Sequence, residues 1–547
     1  MNMTCRVLET SRTRESLLAA GSSAPGRRVT RLNRCATLRP TVSHLSSALP
    51  PVHRRQFVVA RQACLVQPDW TSFPLAGGLV LSACPETRVI QVSDADSQCW
   101  TLIGHAFQAD PRLPGPIDQI ASSRSGTIPG ATYSWAGRWL LVGPDVVVCD
   151  AGALLGLFYL SPEVGAFLAS SSLAVLKRLV PELEAETRRL HWHGVSWFIP
   201  PSSKLKGVRK LLPDQTLSLR TRRVTHLRRA FPERFTGLTS DERARTVTSH
   251  LGNVLIEMTR KNSDMSIALT GGIDSRSTLA VAVANGLAPA VVTMQHARIT
   301  KADSTIPPII CRELGLRHTY LRPGRADPRR YALYDAHTLG NTADADRDFF
   351  AQGIFDRLDE GEWLVRSAPW SMGKNYYYDY FHGLSWEQLR KRPQAILLRH
   401  KTFGSLKRSA QCLAEWIAWR DSHAEPYDWR DLWYRDQRMG GLVSSLEQSL
   451  DLAGCVSVHA VNCGLLCDIM LSEPELARGE RRLQKRILAL SGTGLERFAI
   501  NPVLESGLTI AARKTRKHVG NVVLETANLI RTVRAAGQRP SRSRMSR

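Results

Sequence analysis

Hydrophobic and polar positions change their period near residue 236, and the change divides the chain. Between residues 56 and 225, short apolar runs such as RWLLVG, DVVVCD and GLFYL alternate with Gly, Pro and Asp turns, a pattern of β-strands. A break follows around Phe231–Gly237. Thr239-Ser-Asp-Glu242 is then a capping-box signature, and Val247, Leu251, Val254, Leu255 and Met258 follow at helical spacing. Next come an apolar strand over Met265–Leu269, a helix ending near Asn285-Gly286 and a second strand, AVVTMQ. A helix over about 303–314 ends at Gly315, and RHTYLR reads as a third strand. Alternating strands and helices predict a parallel sheet with helices on both faces. Residues 385–510 read as mainly helical. The expected class is α/β, with an α+β N-terminal sandwich, a doubly wound parallel-sheet domain and a helical C-terminal part.

At 547 residues the chain is too long for one ordinary domain, and 43% hydrophobic with 22% charged residues is a globular composition. No apolar run reaches the ~18 residues of a membrane-spanning helix, so no membrane partner is expected. The net charge of +24 at first suggests nucleic acid, but its distribution argues against that partner. Residues 1–68 hold 11 Arg against Glu9 and Glu15, and residues 511–547 hold 10 Lys and Arg against Glu525. Most of the excess therefore sits at the two ends. The boundaries expected are a basic, disordered extension (1–55), a sandwich (56–230), a nucleotide-binding domain (236–510) and a basic flexible tail (511–547). The 11 cysteines form no CxxC pair, which fits a reducing cytoplasm. Cys455, Cys463 and Cys467, with His459 nearby, read as buried small residues rather than a metal site.

One loop carries chemistry. In SIALTGGIDSRSTLA, residues 266–280, an apolar strand meets Thr-Gly-Gly-Ile-Asp-Ser and then a helix. Two glycines let the backbone approach a ligand without a Cβ, and the helix turns its free N–H groups and positive dipole end to the same point. Thr270 and Ser275 add hydroxyls. A carboxylate at Asp274 repels phosphate unless Mg²⁺ sits between them, so the stretch reads as a polyphosphate-plus-metal site. It is not a Walker P-loop. The Gly373-Lys374 pair has Ala368 and Asn375 where that motif needs Gly and Ser/Thr.

LTGGIDSR resembles the pyrophosphate-binding Ser-Gly-Gly-x-Asp-Ser loop of ATP pyrophosphatases, in the asparagine synthetase branch. The resemblance implies ATP and Mg²⁺ as cofactors and a carboxylate activated by AMP transfer, then attacked by an amine. Leu269, Thr270, Gly271, Gly272, Asp274 and Ser275 would hold ATP or its pyrophosphate, with Asp274 on Mg²⁺. Arg276 would meet a phosphate or acidic substrate, and Ser367 adenosine or phosphate. Lys485 would be the catalytic cation facing the charge that develops on the phosphates, with Lys514 and Lys517 as alternatives. The stretch 135–179 and GVRKLLPDQTLSL (207–219) are similar to the family's glutaminase domain, and KADSTIPPIICRELGLRHTYLR (301–322), YRDQRMGG (434–441) and ERRLQKRIL to its synthetase domain.

Two departures matter. The processed N-terminal Cys of the glutamine-using members has no counterpart, and neither has their glutamine-holding signature; an internal Cys lacks the α-amine that serves as base. The sandwich is therefore expected to be a remnant without glutaminase activity, as in β-lactam synthetases and lasso-peptide cyclases. The family's second acidic loop should fall in WLVRSAPWSMGKNYYYDY, yet Trp363 to Tyr378 holds no Asp or Glu; Glu362 and Asp379 only flank it. Asp303 is read as an N-cap, Tyr376–Phe381 as core, Arg438 as structural and His191-Trp-His193 as a surface loop. The leading expectation is an ATP-dependent amide-forming ligase acting on a carboxylate and an amine. A nucleotide- or partner-binding pseudoenzyme and a tRNA-modifying pyrophosphatase are the competing readings, and homo-oligomerisation is left open.

Overall fold

The computed structural model describes residues 49–185, 190–192, 195–227, 233–296, 299–341, 344–399, 406–423 and 425–504. The basic tail, Lys514, Lys517, His193 and residues 1–48 lie outside these. No helix among the described residues is long and apolar enough to cross a membrane.

The N-terminal part is a sandwich of two six-stranded antiparallel sheets. Alternation along single strands explains its layers. Phe57 and Val59 turn inward to meet Ile103, Leu140 and Val147 of the second sheet. Their neighbours Val58 and Ala60 turn outward and pack on the helix Leu173–Leu179. The second sheet likewise buries Trp100, Trp139 and Leu141 outward, with Ile120 of the helix Pro116–Ser122.

The C-terminal part is built on a parallel sheet of five strands. These are β1 (Met265–Ala268), β2 (Ala290–Met294), β3 (His318–Leu321), β4 (Trp363–Val365) and β5 (Val456–Val458), in the order β3-β2-β1-β4-β5. This is the doubly wound order, and it reverses at β1, between β2 and β4. The sequence expectation of α/β class holds. β5 was not foreseen, because three residues inside a helical stretch carry no readable period.

Helix α1 (Ser240–Lys261) starts on the expected capping box. Thr239 N donates to Glu242 Oε2 at 2.7 Å, and Glu242 N donates to Thr239 Oγ1 at 3.3 Å. Val247, Leu251, Val254, Leu255 and Met258 form its buried face. Helices α2 (Ile273–Ala284) and α3 (Lys301–Leu314) connect β1 to β2 and β2 to β3. Helix α4 (Ser444–Leu450) precedes β5, and α5 (Arg482–Leu490) packs on α1 and α2.

Buried charges join the two parts. Arg138, on the sandwich strand Trp135–Val142, forms a bidentate pair with Asp451 just past α4, at 2.6 and 2.8 Å. Asn462 donates to Gly137 O and to Asp150 Oδ1, both at 2.7 Å. Arg420 holds both oxygens of Asp214 at 2.8 and 2.7 Å and also reaches Glu425. His226 lies 3.3 Å from Asp214 and 3.4 Å from Glu425. Arg54 and Arg55, at the end of the expected extension, contact the C-terminal part. Arg54 is buried, with Nε on Glu86 at 2.7 Å and Nη1 on Ala453 O at 2.9 Å. Arg55 donates to Gly454 O at 2.9 Å and Cys455 O at 2.6 Å. Both arginines cap the turn that leads into β5.

Two predictions follow from this interface. Arg138→Ala leaves the Asp451 carboxylate buried without its cation and should cost about 3–5 kcal/mol in denaturant unfolding. The hydrogen bonds to Asp214 and then Glu425 raise the His226 pKa from 6.5 to about 9. Its contribution is therefore complete below pH 6.5 and is lost as pH rises through about 9. His226→Gln should flatten the fall in stability over that window, read as melting temperature against pH.

Candidate functional site

The Thr-Gly-Gly loop lies at the C-terminal end of β1, where the strand order reverses. This is the crevice in which doubly wound sheets place their ligands. Leu269 is buried at the strand end. Gly272 is the N-cap of α2 and has no side chain to cap it, so the first-turn N–H groups keep no side-chain acceptor from that position.

The loop is braced from within. Thr270 N donates to Ser275 Oγ at 3.0 Å, and the two hydroxyls lie 3.1 Å apart. Gly272 N donates to Thr270 Oγ1 at 3.2 Å. Gly271 N donates to Asp303 Oδ1 at 2.9 Å. Asp303 is not an N-cap, as expected, but the third residue of α3. The cap is Thr300, whose hydroxyl accepts from Asp303 N at 3.0 Å and donates to Asp303 Oδ2 at 2.7 Å. The first turn of α3 lies so close that a Cβ on Gly271 would sit 3.1 Å from the carbonyl of Ala302. Gly271 is thus required by the neighbouring helix as well as by any ligand.

Arg276 is held by backbone carbonyls. Its residue is fully buried, and its guanidinium donates to Phe498 O at 2.6 Å, Gly271 O at 3.1 Å and Ala499 O at 3.2 Å. Asn501 N also donates to Gly271 O, at 3.1 Å. These bonds fasten residues 498–501 to the loop and occupy the Arg276 guanidinium with backbone carbonyls. Ser367 lies two residues past β4, 3.0 Å from the Thr278 hydroxyl one turn along α2, which also accepts from Trp370 Nε1 at 2.9 Å. Lys485 is exposed on α5, and no contact recorded among the described residues brings it to the loop. Its neighbour Arg486 pairs with Asp241.

Asp274 has a partner that the sequence reading missed. Lys374 Nζ lies 2.5 Å from Asp274 Oδ2, and Ser371 Oγ donates to the same oxygen at 3.3 Å. The other oxygen, Oδ1, is buried without a hydrogen bond. Lys374 follows the short 3₁₀ helix Ala368–Gly373, which hangs from β4. Glu362 cannot replace the missing acid, because it precedes β4 and takes the Ser266 hydroxyl at the opposite end of the sheet. Asp379 is exposed. Lys374 left one signal in the sequence, the only lysine in a stretch where an acid was expected.

The expected Mg²⁺ therefore does not fit these residues. They offer one carboxylate oxygen, and an ammonium already neutralises the other. Among the described residues, the only cluster with metal-ligand spacing is Asp214, His226 and Glu425, distant in sequence and already held by Arg420 and Arg435. The cysteine expectation fares better. Cys455, Cys463 and Cys467 are buried, and His459 turns to Glu447 at 3.0 Å rather than to them. Tyr377, Tyr378 and Phe381 are core, whereas Tyr376 is exposed, with Arg438 over its ring at 5.7 Å.

No protein-family model and no curated protein matches the sequence. Among solved structures, the allosteric regulatory enzyme of purine biosynthesis is 9% identical over 50% of this chain and 76% of its own, with a TM-score of 0.20. NMN synthetase from Francisella tularensis is 13% identical over 48% of this chain and 99% of its own, with a TM-score of 0.19. Likeness at this level transfers no activity to the chain.

The two glycines should respond differently to substitution. At Gly271 a Cβ meets helix backbone, so Gly271→Ala should cost about 1–3 kcal/mol by overpacking. At Gly272 it meets only side-chain atoms, Thr270 Oγ1 at 3.2 Å and Asn501 Oδ1 at 3.6 Å, and no backbone. Gly272→Ala should cost less than about 1 kcal/mol. Paired denaturation curves check both.

Proposed function

We propose that the chain is an ATP-dependent amide-forming ligase of the asparagine synthetase type, activating a carboxylate as its acyl-adenylate with release of pyrophosphate. The observation that carries this reading is the Thr270–Ser275 loop at the strand-order reversal, with an uncapped 12-residue helix behind it. In this reading Gly271 and Gly272 admit the phosphates to the backbone, and the first turn of α2 donates to them. Thr270 and Ser275 keep the loop in shape. Lys374 supplies positive charge beside the reacting phosphorus, and Ser367 is placed to meet the nucleoside side. Lys485 would act only if the ligand reached its exposed face.

An amine carried by the substrate fits better than glutamine as nitrogen source. Desolvation pushes the pKa of the sandwich thiols Cys64, Cys84 and Cys99 up, which keeps them in the thiol form. Such cysteines are poor nucleophiles. A second reading, a nucleotide- or partner-binding scaffold without turnover, is favoured by one observation. Lys374 already neutralises Asp274 where a reaction of this family would use a metal.

The test is pyrophosphate release from ATP by the purified chain, surveyed across carboxylate substrates. Carboxylate-dependent release, lost about 100-fold or more in Asp274→Ala because Lys374 loses the carboxylate that holds it beside the phosphates, is expected for the ligase. Unchanged turnover in that variant would refute the assignment of the loop. ATP binding in calorimetry with no release under any substrate would leave the scaffold.

A further inference from the structure

We infer that Lys374 is a built-in replacement for the divalent cation of the loop, so that pyrophosphate binds here without metal. This rests on the reading of the loop as a polyphosphate site. Lys374 Nζ lies 2.5 Å from Asp274 Oδ2 and places a positive charge on the carboxylate that a divalent cation would need. The pair is largely shielded, with 16% and 23% of the two side chains exposed, so its charges are only partly screened by water. A dication entering beside Asp274 would have to approach this ammonium or displace it. Lysine binds phosphate as a compact point charge with three donors, of which Asp274 takes one.

The position of Lys374 is set by packing rather than by its own flexibility. Trp370 is fully buried and donates to Thr278 of α2 at 2.9 Å. Gly373 is pressed on Met470, whose Cβ would lie 2.7 Å from an added Cβ. Asn375 Nδ2 donates to Glu475 O at 2.6 Å on the far side. The segment is thus held before and after Lys374, and the ammonium is delivered to the open end of α2. Asp303 already occupies the Gly271 N–H, so the charge of an incoming phosphate falls on the α2 terminus and on Lys374.

The test is calorimetric titration of the full chain with inorganic pyrophosphate, in EDTA and in MgCl₂. Binding in EDTA should be within about threefold of that in MgCl₂, and Lys374→Met should weaken it at least about tenfold. Lys374→Asp restores an acidic pair and should bind pyrophosphate only with Mg²⁺. That variant shows that the segment still folds if Lys374→Met loses binding. Binding by the natural chain that requires Mg²⁺, or that Lys374→Met leaves unchanged, overturns the inference alone. No pyrophosphate binding in either buffer overturns the reading of the loop as well.

Discussion

The site is organised around one charge, the Asp274 carboxylate in the first turn of α2. A helix N-terminus stabilises a carboxylate, but it also competes with a phosphate for the same N–H groups. A cation from the segment after the neighbouring strand lies against this carboxylate. Lys374 reaches Asp274 only because β4 pairs with β1 in parallel and the 3₁₀ helix after β4 folds back over α2. Strand order and loop packing therefore set the charge of the crevice.

The remaining bonds of the loop make it rigid before any ligand arrives. Asp303 holds Gly271 from α3, Thr270 and Ser275 hold each other, and Arg276 fastens residues 498–501 beneath. Each bond spans a different element, so the loop is a meeting point of β1, α2, α3 and the C-terminal segment.

Buried ion pairs join the sandwich to the parallel-sheet part. Arg138 with Asp451, and Arg420 with Asp214 and Glu425, are buried hydrogen-bonded pairs that are expensive to break. They tie the sandwich to α4 and to the helices before it. Arg54 and Arg55 do the same for the turn into β5.

Much was legible in the chain itself, because the signals were local. The capping box at Thr239, the apolar face of α1 and the strand–Gly-Gly–helix junction are each written within a few residues of one another. Periodicity and capping depend on neighbours three or four positions away, which a single sequence displays. Tertiary structure alone decided the rest. Lys374 and Asp274 are 100 residues apart, β5 is a three-residue strand recognisable only by its pairing with β4, and Arg276 is buried by carbonyls more than 200 residues distant. Charge partners and strand neighbours at such separations follow from how the sheet is wound, and no local pattern encodes that.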